Sequence, residues 1–447
     1  MHTLEQLRAG QLRGITRLDL AAGLTEFSPE IFDLADTLEV LNLSGNALRA
    51  LPDDLPRLHR LRVLFCSDNQ FAEVPAVLGR CPHLEMVGFK ANRIRTLPGA
   101  ALPRGLRWLI LTDNQLESLP DEIGGCARLQ KLMLAGNRLR ALPASLAACT
   151  DLELLRIAAN ELTELPTWLL AMPRLTWLAY AGNPFAAPAE AAAVARHPIG
   201  AINWRELTVE EQLGEGASGV ISRARWQRAG APPAAVAVKL FRGAVTSDGL
   251  PHSEMMACIG AGAHPHLIGV LGRVAGHPAG AEGLVLELVD PAYGNLAGPP
   301  SLASCTRDVY APGTAFSLET GLRLVAGIAA AAEHLHAQGI LHGDLYAHNI
   351  LATGPGEALL GDFGAACFFA PDASAASLAL QRLEVRAFAC LLEEMLAHCP
   401  ATPADAGTVG ALHALRGRCA QPIVAARPLF AEVRRELARA AAAIMLG

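Results

Sequence analysis

The sequence predicts two successive folds: an α/β solenoid built from a short repeat, then a larger α+β domain. Three observations carry this. An asparagine returns at near-constant spacing through the first 185 residues. From Leu207 the repeat stops, and a glycine-rich segment flanked by alternating apolar positions begins. The chain has 447 residues, 51% hydrophobic and 18% charged, which suits two or three packed domains and excludes disorder over most of its length.

The repeat comes first. Asn46, Asn69, Asn92, Asn114, Asn137, Asn160 and Asn183 lie 23, 23, 22, 23, 23 and 23 residues apart. Each closes the phrase L-x-x-L-x-L-x-x-N-x-L. Leu38, Leu41, Leu43, Asn46 and Leu48 form one copy, and Leu129, Leu132, Leu134, Asn137 and Leu139 another. A degenerate first copy runs from Ile15 through Leu18 and Leu20, with Gly23 in place of the asparagine. The L-x-L core reads as a short strand whose leucines share one side. One copy cannot bury them, but stacked copies share a continuous core. An asparagine amide, with two donor hydrogens and an acceptor oxygen, suits the turn that leaves each strand. The pattern resembles the leucine-rich repeat family over residues 14–185, with about eight copies.

Repeat phase also explains several cysteines. Cys81, Cys126 and Cys149 share the phase of Leu58 and Met172, and Cys66 that of Leu43, so they read as core residues. Ten cysteines without a C-x-x-C pair exclude a disulfide scaffold and a zinc ribbon. Phe65, Met86, Trp108, Met133 and Trp177 flank the inward leucines on the concave side, among Asp68, Lys90, Asp113, Lys131 and Arg156. Such a face suits a protein substrate or partner, or mutual packing of the aromatics. The array is expected to fill residues 1–185, with a capping helix and linker over 186–206 and a second domain over 207–447.

The second domain opens on Leu213-Gly214-Glu215-Gly216-Ala217-Ser218-Gly219-Val220, a G-x-G-x-x-G-x-V segment. A β-like alternation resumes at once, so the glycines belong to a hairpin and not to a helix start. Ala235-Val236-Ala237-Val238-Lys239 is a strand with a terminal lysine, and Glu254 follows on a helix. Next come His264-Pro265-His266-Leu267-Ile268 and the strand Leu284 to Val289. Then Ile340-Leu341-His342-Gly343-Asp344 leads to Asn349, with Asp362-Phe363-Gly364 eighteen residues after Asp344. Glu384-Val385-Arg386-Ala387-Phe388, Arg418-Cys419 and Arg427-Pro428-Leu429-Phe430 follow in order. Together these resemble the eukaryotic-like protein kinase superfamily over residues 207–440. The implied fold class is an α/β leucine-rich repeat solenoid followed by a bilobal α+β protein-kinase-like fold.

The resemblance implies roles. Asp344 orients the acceptor hydroxyl, and Lys239, paired with Glu254, binds phosphates. Leu213, Gly214, Gly216, Gly219, Val220, Ala237 and the hinge residues Glu287 and Val289 contact ATP. Asn349 and Asp362 hold Mg²⁺, a hard cation suited to oxygen ligands. The chain also departs from the pattern. Gly343 replaces the arginine that binds a phosphorylated activation loop, and Tyr346 replaces a lysine near the γ-phosphate, with His348 a candidate substitute. Glu384 replaces an aspartate. Ala370-Pro371-Asp372 stands where an A-P-E is expected, with Arg427 as the partner of Asp372. Ala365, Ala366, Cys367, Phe368 and Phe369 offer no hydroxyl to phosphorylate, and the two phenylalanines are expected to bury.

The implied function is an ATP- and Mg-dependent protein kinase, more Ser/Thr than Tyr, whose repeats recruit a protein. Two other readings stay open: a nucleotide-binding pseudokinase scaffold, and a small-molecule phosphotransferase of the aminoglycoside kinase type. A net charge of −6 removes the case for nucleic acid. No apolar run reaches a membrane span, and the N-terminus lacks the apolar core of a signal peptide. These point to a reducing cytoplasm, and the heavy use of Ala, Leu, Gly and Arg to a bacterial genome, with delivery to another compartment left open.

Overall fold

The structure is a computed structural model that describes residues 2–400 and 402–446. It divides into two compact units, Met1–Arg174 and Leu175–Gly447.

In the first unit a short helix, α1 (Leu4–Arg8), precedes seven short strands among the described residues: β1 (Arg17–Asp19), β2 (Val40–Asn42), β3 (Val63–Phe65), β4 (Met86–Gly88), β5 (Trp108–Ile110), β6 (Lys131–Met133) and β7 (Leu154–Arg156). They pair in parallel, each with the next. Leu18, Leu41, Leu64, Val87, Leu109, Leu132 and Leu155 are successive partners, and all are buried. The return segments are single 3₁₀ turns, such as Leu55–Arg57, Ala76–Arg80 and Asp121–Gly125. In these three a proline at or next to the entry sets φ, and the spans are too short for an α-helix.

The asparagines join neighbouring copies. Asn137 Nδ2 donates to Leu134 O (2.9 Å) in its own copy and Leu111 O (2.9 Å) in the copy before, while Oδ1 accepts from Leu116 N (3.0 Å). Asn69 repeats the arrangement with Cys66 O, Leu43 O and Leu48 N. Each amide thus satisfies backbone groups that no strand ladder reaches. The residue before each asparagine is left-handed: Gly45, Asp68, Ala91, Asp113, Gly136 and Ala159 have φ from 53° to 74°. Asp68 and Asp113 are therefore turn residues first. Cys66, Cys81, Cys126 and Cys149 lie in the core, and burial pushes the Cys81 thiol up to about 11 and the Cys149 thiol up to about 12. Phe65 meets Trp108 edge-on (centroids 6.4 Å), Trp108 Nε1 reaches Met133 Sδ (3.4 Å), and Lys131 Nζ lies 4.6 Å from the Trp108 ring centroid. These concave-side residues pack on one another.

The second unit begins with the strand of the last repeat copy, β8 (Trp177–Ala179), followed by α2 (Ala187–Arg196) and β9 (Ala201–Asn203). The compact units thus divide ahead of residue 185, where the motif reading ends the array. Next come β10 (Leu207–Gly216), β11 (Gly219–Trp226), β12 (Ala234–Phe241), α3 (Pro251–Ala261), β13 (Val270–Ala275) and β14 (Gly283–Glu287). They form a six-stranded sheet in the order β10-β11-β12-β14-β13-β9. Its inner face is a core of Ile202, Leu207, Ala224, Val236, Val238 and Val285.

A helical lobe follows. It holds β15 (Gly294–Asn295), α4 (Leu318–Ala337), β16 (Ile340–Leu341), β17 (Ile350–Ala352), β18 (Ala358–Leu360), β19 (Cys367–Phe368), α5 (Ala375–Ala397), α6 (Ala406–Cys419) and α7 (Phe430–Leu446). Helix α4 is capped by Ser317, whose side chain accepts from Thr320 N, and buries Leu318, Leu322, Val325, Ala329, Ala332 and Leu335 at helical spacing. Two small sheets, β15-β17-β18 and β16-β19, carry the loops of the site. Among the described residues no helix is long and apolar enough to cross a membrane.

Candidate active site

The glycine-rich segment is the turn between β10 and β11, where Gly216 pairs with Gly219. The glycines there meet different needs. A Cβ at Gly219 would lie 2.2 Å from Leu240 O, so this glycine lets β11 pass β12. A Cβ at Gly214 or Gly216 would meet nothing within 4 Å, so the hairpin there is open for a ligand to approach the backbone. Leu213 is half exposed on β10, Val220 is partly buried, and Ala237 is buried on β12.

Lys239, near the end of β12, forms an ion pair with Glu254 on α3. The lysine side chain is 14% exposed and the glutamate 2%. Burial alone would pull the lysine pKa down. The Glu254 charge and hydrogen bond outweigh it, with a further pull from Asp362, and leave it raised. The second carboxylate oxygen of Glu254 is buried and has no hydrogen-bond partner. Beside this pair runs a pocket lined by Cys258, Leu267, Leu284, Leu286 and Phe363. Glu287 ends β14, with its N–H donating to Gly269 O (2.9 Å), and Val289 follows it outside the sheet.

The loop from His342 to Asn349 meets Gly361 and Phe363 of the pocket lining. Asn349 Nδ2 donates to Asp344 Oδ2 (2.8 Å) and to Asp344 O (2.9 Å). That commits the amide nitrogen and leaves Oδ1 without a bond to Asp344. His342 bonds Gly361 O through Nε2 (2.8 Å) and packs on Phe363 at 5.2 Å. Phe363 is buried, while Asp362 is exposed with φ +54° and accepts from Gly364 N (3.1 Å). Glu384 on α5 reaches the loop. Its Oε1 accepts from Gly343 N (2.7 Å) and its Oε2 bonds His336 Nε2 (2.7 Å). Burial would raise the Glu384 pKa, but the His336 hydrogen bond and charge leave it lowered.

Three features were not visible in the motifs. Asp308 bonds His348 twice, through its ring Nδ1 (2.7 Å) and its backbone N–H (3.0 Å). Burial lowers the His348 pKa, but Asp308, then Asp344 and Asp362, leave it raised; the imidazole beside the two carboxylates is biased to the cation. Asp308 sits in no recognisable spacing, so only the fold reveals it. His336 as a partner of Glu384 is equally silent in sequence. Trp177, read on the concave side as either a partner contact or a packed aromatic, is 1% exposed and stacked on Tyr346 at 4.1 Å and 8°.

One expected pair does not form. Arg427 donates to Gln421 O (2.8 Å) and Arg382 O (3.2 Å), and burial lowers its pKa to about 10. Asp372 is exposed and accepts from Ser374 N (3.0 Å). The segment after Gly364 is so short that α5 already starts at Ala375, which leaves Asp372 in the turn before that helix. Phe368 and Phe369 are both buried.

Residues 207–391 match the family described as protein tyrosine and serine/threonine kinase, and residues 37–58 match the leucine rich repeat family. The chain is similar to the mouse "Transforming growth factor beta activator LRRC32", with 37% identity over 122 residues, 26% of this chain and 18% of the relative. It is also similar to the "Probable inactive serine/threonine-protein kinase roco10" of Dictyostelium discoideum, with 34% identity over 113 residues, 24% of this chain and 4% of the relative. The matches therefore span less than a fifth of these relatives' lengths. A solved leucine-rich repeat protein of Leptospira interrogans, LIC12759, aligns with 26% identity and a TM-score of 0.37, covering 40% of this chain and 45% of that one.

Proposed function

We propose that this chain, leucine-rich repeats followed by a protein kinase domain, transfers a phosphoryl group from ATP to a protein hydroxyl, Ser/Thr in preference to Tyr. The observation that carries the reading is one pocket lined by the Lys239–Glu254 pair, Asp362 and Phe363, together with Asp344 fixed by Asn349 and acting with Asp362 on His348. The residues fit a nucleotide and Mg²⁺. The turn is open at Gly214 and Gly216, and Asn349 and Asp362 supply hard oxygen donors. When bound, the metal offsets charge on the phosphates. Lys239, held by Glu254, binds phosphate oxygens. Asp344, its carboxylate fixed by the Asn349 amide, accepts the hydrogen bond of the acceptor hydroxyl and orients it. The half-buried Phe65, Trp108 and Met133 supply the apolar part of a recruitment face for the protein partner.

The test is incubation with labelled ATP and Mg²⁺. Wild type transfers label, and Asp344→Asn transfers about 10³-fold less while keeping the Mg-ATP-dependent rise in Tm. No rise in Tm in wild type would defeat the reading. Tyr346, in place of a cation, favours a second reading: a nucleotide-binding scaffold, which shows the rise in Tm and no transfer.

A further inference from the structure

We infer that Trp177, Leu178 and Tyr180, on the last copy of the repeated motif, hold the catalytic loop and the segment after Asp362-Phe363-Gly364 in their working arrangement. They do the task that an arginine before the catalytic aspartate and a phosphorylated loop share where a chain has both. The kinetic part of the inference rests on the phosphotransfer reading above; the structural part does not.

The argument starts at Gly343. Its φ is +72°, and a Cβ there would lie 2.4 Å from Ala365 O and 2.9 Å from Leu178 O. No side chain fits, because the backbones of two other segments fill the space. The glycine is therefore the complement of strand β8 and not merely a lost arginine. Leu178 O in turn accepts the Cys367 thiol (3.7 Å). Tyr180 closes on the same segment from its other end. Its N–H donates to Cys367 Sγ (2.9 Å) and its hydroxyl donates to Phe368 O (3.0 Å). Tyr180 is 1% exposed, so both bonds form away from water, where leaving them unmade is costly. On its far side the segment pairs as β19 with β16, the strand that runs into the catalytic loop.

Trp177 acts on the catalytic loop itself. Its Nε1 donates to Leu345 O (3.2 Å), one residue past Asp344, and its ring stacks on that of Tyr346, which stands where the resemblance expects a lysine. The Arg307 guanidinium lies 5.5 Å from the Trp177 ring centroid. Anchors of the loop among the described residues include Glu384 on Gly343 N, Trp177 on Leu345 O and Asp308 on His348 N. None is a phosphate. No residue from Ala365 to Phe369 carries a hydroxyl that could become one.

Three full-length variants test this: Trp177→Ala, Trp177→Phe and Tyr180→Phe. The readouts are kcat, KM for ATP, and amide hydrogen exchange over residues 343–349 and 365–369. In Trp177→Ala, kcat falls on the order of 100-fold, the effect of a small displacement at a reacting centre. KM for ATP stays within about twofold, since the lysine, the glutamate and the hinge are untouched. Trp177→Phe keeps the stack, loses only the Nε1 bond, and recovers most of kcat. Tyr180→Phe speeds exchange over 365–369. The inference is overturned if Trp177→Ala keeps kcat within about twofold of wild type, or if exchange in both segments is unchanged. A wild type that binds Mg-ATP but transfers nothing defeats the phosphotransfer reading, and the exchange data alone then decide this one. If Trp177→Ala fails to fold, the two phenylalanine variants decide the matter: unchanged kcat in Trp177→Phe together with unchanged exchange in both overturns the inference.

Discussion

Asn137 and Asn349 are both buried amides, 7% and 8% exposed, yet the two units use them differently. In the first unit the amide bonds neutral backbone groups of its own copy and the copy before it, and the same solution recurs at each repeat. In the second unit the amide bonds one carboxylate, and its arrangement occurs once. The first asparagine stabilises a stack and would lose nothing if its oxygen met no ligand. The second holds Asp344 with its nitrogen, and in the proposed function its oxygen is the metal ligand. The repeat amides are closed upon backbone groups, whereas in the second unit one oxygen of Glu254 is buried without a partner among the described residues.

The largest expected effect sharpens where one kind of region gives way to the other. A chain of residues 175–447 keeps β8, unfolds in a single transition and shows the Mg-ATP rise in Tm. A chain of residues 186–447 lacks Trp177, Leu178 and Tyr180, all buried in the second unit. Losing two buried aromatics alone costs about 6 kcal/mol, on the scale of a whole domain's stability. That chain is expected to be insoluble or unfolded by circular dichroism. Equal stability of the two fragments would show that β8 belongs with the repeats alone.

Much of both regions was legible, for different physical reasons. The asparagine spacing announces the stack because every copy solves the same burial problem. Lys239, Glu254, Asp344, Asn349 and Asp362 are legible through their order, since each sits at a fixed place on a strand, helix or loop. The pairing of Arg427 with Asp372 was expected from order alone and fails because a short segment moves Asp372 out to the turn before α5. Trp177 shows another gap. Repeat phase says which residues flank the inward leucines but not what covers them, so it does not decide between a partner contact and the stacked, buried tryptophan that the fold shows. Asp308 has no signal at all, because its pairing with His348 spans a sequence gap of 40 residues without a motif.

The two asparagines give the next prediction, a crossed one. Asn137→Ala leaves Leu111 O, Leu134 O and Leu116 N without their partner and lowers stability by about 3 kcal/mol. It does not change Mg-ATP affinity. Asn349→Ala costs about 1 kcal/mol of stability and removes the Mg-dependent part of nucleotide binding. Urea midpoints and titration calorimetry with Mg-ATP separate the two. If Asn137→Ala weakened Mg-ATP binding as much as Asn349→Ala, the contrast between a structural and a chemical amide would not stand.

The smallest expected effect concerns the left-handed position before each asparagine. Ala91 and Ala159 hold φ of 53° and 54°, while Gly45 and Gly136 do the same job at 74° and 71°. An L-residue in that region carries about 1–2 kcal/mol of steric strain from its Cβ. Glycine removes the strain but gives the unfolded chain more freedom, which takes back about 0.4–1 kcal/mol. The difference favours glycine by about 0.5–1 kcal/mol, so Ala91→Gly should raise stability slightly and Gly136→Ala should lower it by a similar amount. Because both sites recur with the same backbone geometry, the two changes should be equal and opposite within error and add in the double variant, as independent sites do. The measurement is the urea midpoint of the repeats in the full chain. A stabilising Gly136→Ala would mean that the repeats do not share one turn geometry, and that the period in the sequence conceals real differences between copies.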